Sequence, residues 1–404
     1  MNPRSLLLIF YALIPLAIYH VPLGVLNLSF DRLMLIFVLA ILVYYPFGKV
    51  KKLMMLIRLL LLATVLSILF VDDYQMSGLI KFGPSWFQSI LVMYVSVLFA
   101  NKYGGEFITK IFRIHFFTLF VLTLYGFWFV YVQDKIVFNY PLSGFLPDLA
   151  HDDHKVGMLR NSRLFFPFSS APRLGFVAGM LLIYFFYFAQ TKKQKWLMVG
   201  GSIFIVLVTI SRGPVLSLVV SFALAYLIKN FYRGKMHYLL LFGIVALLLG
   251  LGFTLVSVSE GSTFARLFSI GSDDASIQGH LGIRFKVLDM IFSNNLHHFF
   301  FGYGLGQIEH QLSISSAHSS YFTQLFEQGV FGVIAFATMY IILITKAWKY
   351  YRLNPANEVF GLFVIAIYLG IVHLAYDALS MVILWAYNGL VWGYINYLQK
   401  RDAA

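Results

Sequence analysis

Long apolar runs dominate this chain and leave few ways for it to fold. Segments of roughly 15 to 25 residues with almost no charge recur at about 5–20, 33–47, 53–71, 85–100, 112–132, 173–190, 196–210, 215–228, 238–258, 319–345, 359–376 and 379–398. Each is long enough, as a helix rising about 1.5 Å per residue, to traverse most or all of a ~30 Å hydrocarbon core. The pattern predicts an all-α, polytopic integral membrane bundle of about 12 transmembrane helices, read as a single domain over residues 1–404. Composition agrees: 60% of the 404 residues are hydrophobic, 12% are charged and the mean hydropathy is +0.80, whereas soluble domains sit near half apolar and a quarter charged. The first run, "MNPRSLLLIFYALIPLAIYH", has the n-region and h-region of a signal peptide. No small-x-small cleavage site follows it, so it reads as an uncleaved first span.

An even number of spans puts both termini on one side. With both inside, the inner segments collect Arg4, Lys49, Lys51, Lys52, Arg58, Lys102, Lys110, Arg113, "KKQK" at 192–195, Lys229, Arg233, Lys235, Lys346, Lys349, Arg352, Lys400 and Arg401, well over half of the 30 Lys and Arg. The acids on that side are Glu106, Glu358 and Asp402. Cytoplasmic loops carry just such an excess of Lys and Arg, so the formal charge of +13 reports orientation and argues against a nucleic-acid partner. With no cysteine, disulfides, thiol nucleophiles and thiolate metal sites are excluded. Two outer segments, 133–172 and 259–318, are too long for simple turns, and function is expected on that face.

Three residues stand where a membrane protein places charge only at a cost. Arg212, in "SRGP", lies between two arms, Lys195 to Arg212 and Pro214 to Lys229, each spanning only about 20–25 Å as a helix. The turn is therefore expected to be sunk below the outer surface, where an unpaired arginine is costly and marks a site. The bland alternative is an arginine snorkelling from a short span. Arg284 sits in a segment whose helical wheel puts Gly282, Lys286, Asp289 and Ser293 on one face and Ile283, Val287, Leu288, Met290 and Ile291 on the other. Arg284 projects from the middle of the apolar face and would point toward the bundle in need of an anion, unless the helix begins after it. His318 opens the run "SSAHSSYFTQLFEQGVFG", with Ser315 and Ser316 available as caps. A helix N-terminus disfavours imidazolium, so a neutral, proton-accepting imidazole suits this place; a merely structural histidine is the alternative. Glu327 lies about 180° around a continuous helix from His318 and is expected to be a second buried polar group, with Gly329 and Gly332 allowing close packing.

Two arginines to hold a dianionic or pyrophosphate group and a neutral histidine to deprotonate a nucleophile make a coherent chemistry. "GYGLG" at 302–306 could bring backbone to a phosphate, though a plain turn is the simpler reading. "HDDH" at 151–154 and His297/His298 raise a metal site, but adjacent ligands are crowded, and no metal or cofactor is expected.

These residues resemble the O-antigen ligase and O-antigen polymerase superfamily of bacterial envelope glycosyltransferases. The likeness lies in "SRGP" after a span, the arginine-bearing outer helix followed by "FFGYGLG", and "AHSSYFTQLFEQGVFG", which is similar to the family pattern H-[NS]-x-[YFL] followed by E-x-G-x-x-G. Upstream, "RLFFPFSSAPRLGFVAG" resembles the segment before another family span, with Ala-Pro where Pro-Asn is frequent. The resemblance covers about 160–335. It implies a metal-independent transferase in the bacterial inner membrane, with its active site facing the periplasm and an undecaprenyl-pyrophosphate-linked glycan as donor. Arg212 and Arg284 would bind the donor pyrophosphate and His318 would activate the acceptor hydroxyl. Tyr321, Glu327 and Gly304 are supporting candidates, and Arg160, Arg163 and Arg173 are candidates for gripping glycan. A polymerase, passing the glycan to another lipid-linked repeat with a chain-length regulator as a further partner, is favoured by the two large outer loops; a ligase, with lipid A–core as acceptor, is the alternative. A transporter would require midplane charges on broken helices, and the unusual charges here gather at the outer ends of spans.

Overall fold

The computed structural model describes residues 3–14, 20–23, 26–29, 50–71, 74–128, 168, 170–209, 211–232, 275–293, 296–312 and 317–403. Their elements are α1 (Pro3–Leu13), a hairpin of β1 (His20–Leu23) and β2 (Leu26–Ser29), α2 (Lys51–Leu69), α3 (Met76–Phe127), α4 (Ala171–Phe188), α5 (Lys192–Val208), α6 (Arg212–Tyr232), α7 (Ala275–Ser293), α8 (Leu296–Phe301), α9 (Ile308–Leu312), α10 (Ser320–Leu353), α11 (Asn357–Ala375) and α12 (Val382–Arg401). The antiparallel hairpin, pairing His20 with Ser29 and Leu23 with Leu26, is the one β element among the described residues. It begins where the first apolar run was expected to end.

Among the described residues five helices are long and apolar enough to cross a membrane: α3, α4, α6, α10 and α11. The element α3, with 52 residues, holds two of the expected runs; Gly104, at φ 68° and ψ −157°, breaks it between them into two helical arms. Ten of the twelve apolar runs overlap a helix in this way, and the chain is a multi-pass membrane protein. The runs at 33–47 and 238–258 lie outside the described residues, as do Arg160, Arg163 and "HDDH" at 151–154.

Contacts divide the chain into two compact units, Met1–Pro46 with Tyr103–Ile270, and Phe47–Lys102 with Gly271–Ala404. In the first, the second arm of α3 packs on α4 through Phe112 stacked on Tyr184 at 3.9 Å and the Thr109–Tyr184 hydroxyl pair at 2.7 Å. A Cβ on Gly201 of α5 would lie 2.7 Å from the Phe116 ring, so that glycine lets α5 come close. Helix α6 leaves Leu216, Val219, Val220 and Leu224 exposed, as a lipid-facing span should. In the second unit α11 and α12 are the buried centre. Gly389 and Gly393 of α12 form a G-x-x-x-G step on the first arm of α3: a Cβ on either would strike a carbonyl oxygen, of Met93 or Val97 respectively. Helices in lipid gain from such backbone approach because apolar burial drives little association there.

Candidate functional site

Helix α7 turns the face expected from its sequence toward α10. Val287 and Ile291 are buried with Tyr303, Ile308, Leu312, Ala317 and Phe326, and Ile283 and Met290 pack against them. Lys286 and Asp289 are exposed as predicted. The outer face is not wholly polar, however: Phe285 and Phe292 are 66% and 65% exposed. Arg284 points inward. Its Nη2 donates to the His318 carbonyl oxygen at 3.0 Å and, at 3.5 Å, to that of Leu374, while its guanidinium sits 5.5 Å from the Phe322 ring centre. Its Nε is buried with no hydrogen-bond partner among the described residues. Burial lowers the arginine's pKa from its ordinary value, the direction in which a bound anion would be welcome.

His318 lies just ahead of α10. Ser319 is the N-cap residue and makes no side-chain cap hydrogen bond, which corrects the expectation that Ser315 and Ser316 cap the helix; those two lie outside the described residues. With φ at 53°, His318 is the one non-glycine in the left-handed region among the described residues. Such a conformation is uncommon outside glycine and persists where surroundings over-determine it. Here the surroundings are Arg284 on its carbonyl, Ala317 N donating to Thr323 Oγ1 at 3.3 Å, and Ser319 Oγ donating to the His373 carbonyl at 3.3 Å.

The glycines of "FFGYGLG" and "EQGVFG" meet in one clamp. Gly329 breaks α10 at φ 65° and ψ −165°, so the carbonyls just before it lose their helical donors. Those of Phe326 and Glu327 accept instead from Tyr303 N at 2.8 Å and Gly304 N at 2.9 Å. Gly302 fits because a Cβ there would stand 2.5 Å from the Glu327 carbonyl carbon, and a Cβ on Gly329 would strike the Phe300 carbonyl. The Glu327 carboxylate, buried as expected, accepts from the backbone amides of Gly306 and Ile308. The loop's amides therefore serve an internal carboxylate. Gly332 departs from expectation: a Cβ there would meet Gln328 of its own helix, so it makes room for that side chain. Gly304, at φ 95°, lies under the Tyr74 ring, whose hydroxyl donates to Leu305 O at 3.0 Å; burial, with Glu327 nearby, pushes Tyr74 up to about 12. Tyr321 is edge-on to Phe336 with centroids 5.2 Å apart.

In the other unit, Arg212 begins α6, with Pro214 in its first turn as predicted. A Cβ on Gly175 would come 2.6 Å from Pro214. The Arg212 turn thus packs on the start of α4, two residues beyond Arg173.

Residues 196–337 match the family model for the O-antigen ligase. This bears out the resemblance to the O-antigen ligase and polymerase superfamily over about a third of the chain. The ligase-type region takes in Arg212, Arg284, Gly304, His318, Tyr321 and Glu327, and leaves Arg160, Arg163 and Arg173 upstream of it. No curated protein matches the chain.

Beyond the ligase-type region, the turn between α11 and α12 supplies residues that sequence reading missed. Asp377 Oδ2 accepts from Thr323 Oγ1 at 2.7 Å, and Ser320 Oγ lies 2.8 Å from His373 Nδ1. The available signal was "HLAYDALS" at 373–380, a histidine and an acid at a very short turn between two greasy runs. His297 and His298 serve packing: His298 stacks on Tyr303 at 4.2 Å and His297 meets Phe70 edge-on at 5.7 Å. Among the described residues no three His, Cys, Asp or Glu side chains gather as metal ligands.

Proposed function

We propose that this protein is a metal-independent membrane glycosyltransferase that moves a glycan from undecaprenyl pyrophosphate to a sugar hydroxyl on the periplasmic face of the bacterial inner membrane, with both termini in the cytoplasm. The observation that carries the reading is the Arg284 guanidinium hydrogen-bonded to the His318 carbonyl. It ties a half-buried cation with an unused, buried Nε to the backbone of His318, the histidine proposed here as the base.

His318 removes the proton of the acceptor hydroxyl as its oxygen attacks the anomeric carbon. The bond from that carbon to the pyrophosphate oxygen breaks, and the lipid pyrophosphate leaves with the bonding pair. A single displacement inverts the anomeric centre. Arg284 neutralises the charge that develops on the leaving group, where a fixed cation in a water-poor site counts for most. Arg212, at the head of α6, is proposed as a second pyrophosphate-binding residue, and Arg160, Arg163 and Arg173 as glycan contacts.

The acceptor is proposed to be another lipid-linked repeat, making the enzyme a polymerase with a chain-length regulator as partner. The ligase reading, with lipid A–core as acceptor, is favoured by the description of the matching family. A lipopolysaccharide banding gel on a deletion strain carrying wild type, His318→Ala, Arg284→Ala or Arg212→Ala separates them. Core bearing a single repeat supports polymerisation; bare core with long lipid-linked glycan accumulating supports ligation. A normal ladder from all three variants, each inserted at wild-type level, sinks the reading.

A further inference from the structure

The segment that carries His318 is stitched to the α11–α12 turn, which no motif of the ligase-type region includes. Ser320 N donates to the Tyr376 carbonyl at 3.3 Å, Ala378 N donates to Ser320 Oγ at 2.9 Å, and Ser319 Oγ donates to the His373 carbonyl. One chain of bonds among these has a direction. Ala317 N donates to Thr323 Oγ1 at 3.3 Å, and Thr323 Oγ1 has one proton, which it gives to Asp377 Oδ2 at 2.7 Å. The second carboxylate oxygen accepts from Leu379 N at 3.3 Å, so the acid is itself held in place. A hydroxyl whose proton is committed to a carboxylate keeps its lone pairs facing the amide. The bond to the carboxylate is of the stronger, charge-assisted kind, and it strengthens the bond before it in the chain.

The alternative open to Thr323 explains what the acid prevents. A threonine in the first turns of a helix can donate to the carbonyl four residues back, here that of Ser319, whose oxygen already accepts from Thr323 N at 2.9 Å. In that state the hydroxyl would no longer be oriented by Asp377, and the Ala317 amide, at a residue with no exposed surface, would lose its fixed acceptor. His318 follows Ala317 directly and stands in the left-handed region at φ 53°, a conformation that needs such constraint on both sides. Arg284 supplies it at the carbonyl, and the Ala317–Thr323–Asp377 chain supplies it at the preceding peptide.

We propose that Asp377, acting through Thr323, is the positioning residue that holds the His318 imidazole in its catalytic posture. The inference rests on the reading of His318 as the base. Asp377 does not touch the acceptor; it restricts the backbone from which the imidazole projects.

The test uses full-length protein in proteoliposomes with lipid-linked glycan extracted from the deletion strain as donor and acceptor extracted from the same cells. Rates are normalised to folded protein by fluorescence-detected size exclusion. Asp377→Ala and Thr323→Val are each expected to lower kcat by about 10²-fold, the scale of a small misplacement of a catalytic group, with KM for the donor within about 2-fold of wild type. Thr323→Ser, which keeps the hydroxyl, is expected to recover most of the rate. The double variant Asp377→Ala with Thr323→Val should be no slower than either single one, because both remove the same link. Multiplying losses, or a Thr323→Val protein that is folded and fully active, would overturn the inference. Thr323→Val is nearly isosteric and decides the matter even if Asp377→Ala does not fold. His318→Ala run alongside tells the two ideas apart: if it retains transfer, the proposed function fails and this inference falls with it, whereas an inactive His318→Ala beside a fully active Thr323→Val refutes the positioning role alone.

Discussion

The two halves of α10 obey opposite rules within one continuous stretch of sequence. Before Gly329 the helix buries Ser320, Thr323, Gln324, Glu327 and Gln328. After it, Phe331, Ile334 and Ile341 are exposed and Ala335, Phe336, Met339 and Leu343 are buried. The second half is an ordinary span, in which apolar side chains face lipid and neighbouring helices alike. The first half confines its polar groups inside, where each must find a partner or pay the desolvation cost. Some find one, as Thr323 does in Asp377 and Glu327 does in two backbone amides. Gln324 and Gln328 do not, since all four of their side-chain polar atoms are buried without a partner among the described residues. Polar groups retained at such a disadvantage are expected where function, and not stability, set the choice.

The largest effect that would break this comparison is at the junction. Gly329→Ala places a side chain in a backbone region that is essentially glycine's alone, at about 1–3 kcal/mol, before the clash with the Phe300 carbonyl is added. Loss of the folded, monodisperse peak on size exclusion is expected; a well-folded variant with unchanged melting would mean the break is not required. Next is Glu327→Gln, which leaves two amides a single neutral acceptor oxygen. A drop of about 1–3 kcal/mol, the cost of leaving a buried donor without a full partner, should appear as a lower melting temperature in detergent. Gln324→Met carries the opposite sign. Removing two unpartnered buried polar atoms should leave stability unchanged or raise it by about 1 kcal/mol, and a clear fall in melting would show that the carboxamide is satisfied. Ile341→Val, on the lipid face of the second half, is expected to change stability by less than about 0.5 kcal/mol; a larger change would mean that this face is an interface after all.

The legible parts of the site were those whose signal is local. Arg284 could be placed on the inward face of α7 because helical periodicity assigns a face to each residue, and Val287 and Ile291 are buried beside it as that wheel requires. Glu327 could be recognised as buried because it interrupts an apolar run. The capping of α10 was misread for a reason of the same kind: the serines near His318 are equivalent to a rule that looks only at neighbours. Which of them starts the helix depends on His373, Tyr376 and Asp377, more than fifty residues away.

By itself the sequence determined a multi-pass helical membrane protein, the positions of most of its helices and the inward face of α7 that carries Arg284, because hydrophobic runs and their periodicity are properties of consecutive residues. Only the tertiary structure decided that "GYGLG" serves the break at Gly329, that the Arg284 guanidinium reaches the His318 carbonyl, and that Asp377 joins this group through Thr323. Each of these is a hydrogen bond or a backbone approach between segments distant in the chain. No periodicity encodes such contacts, because they exist only once helices with several available neighbours have chosen one.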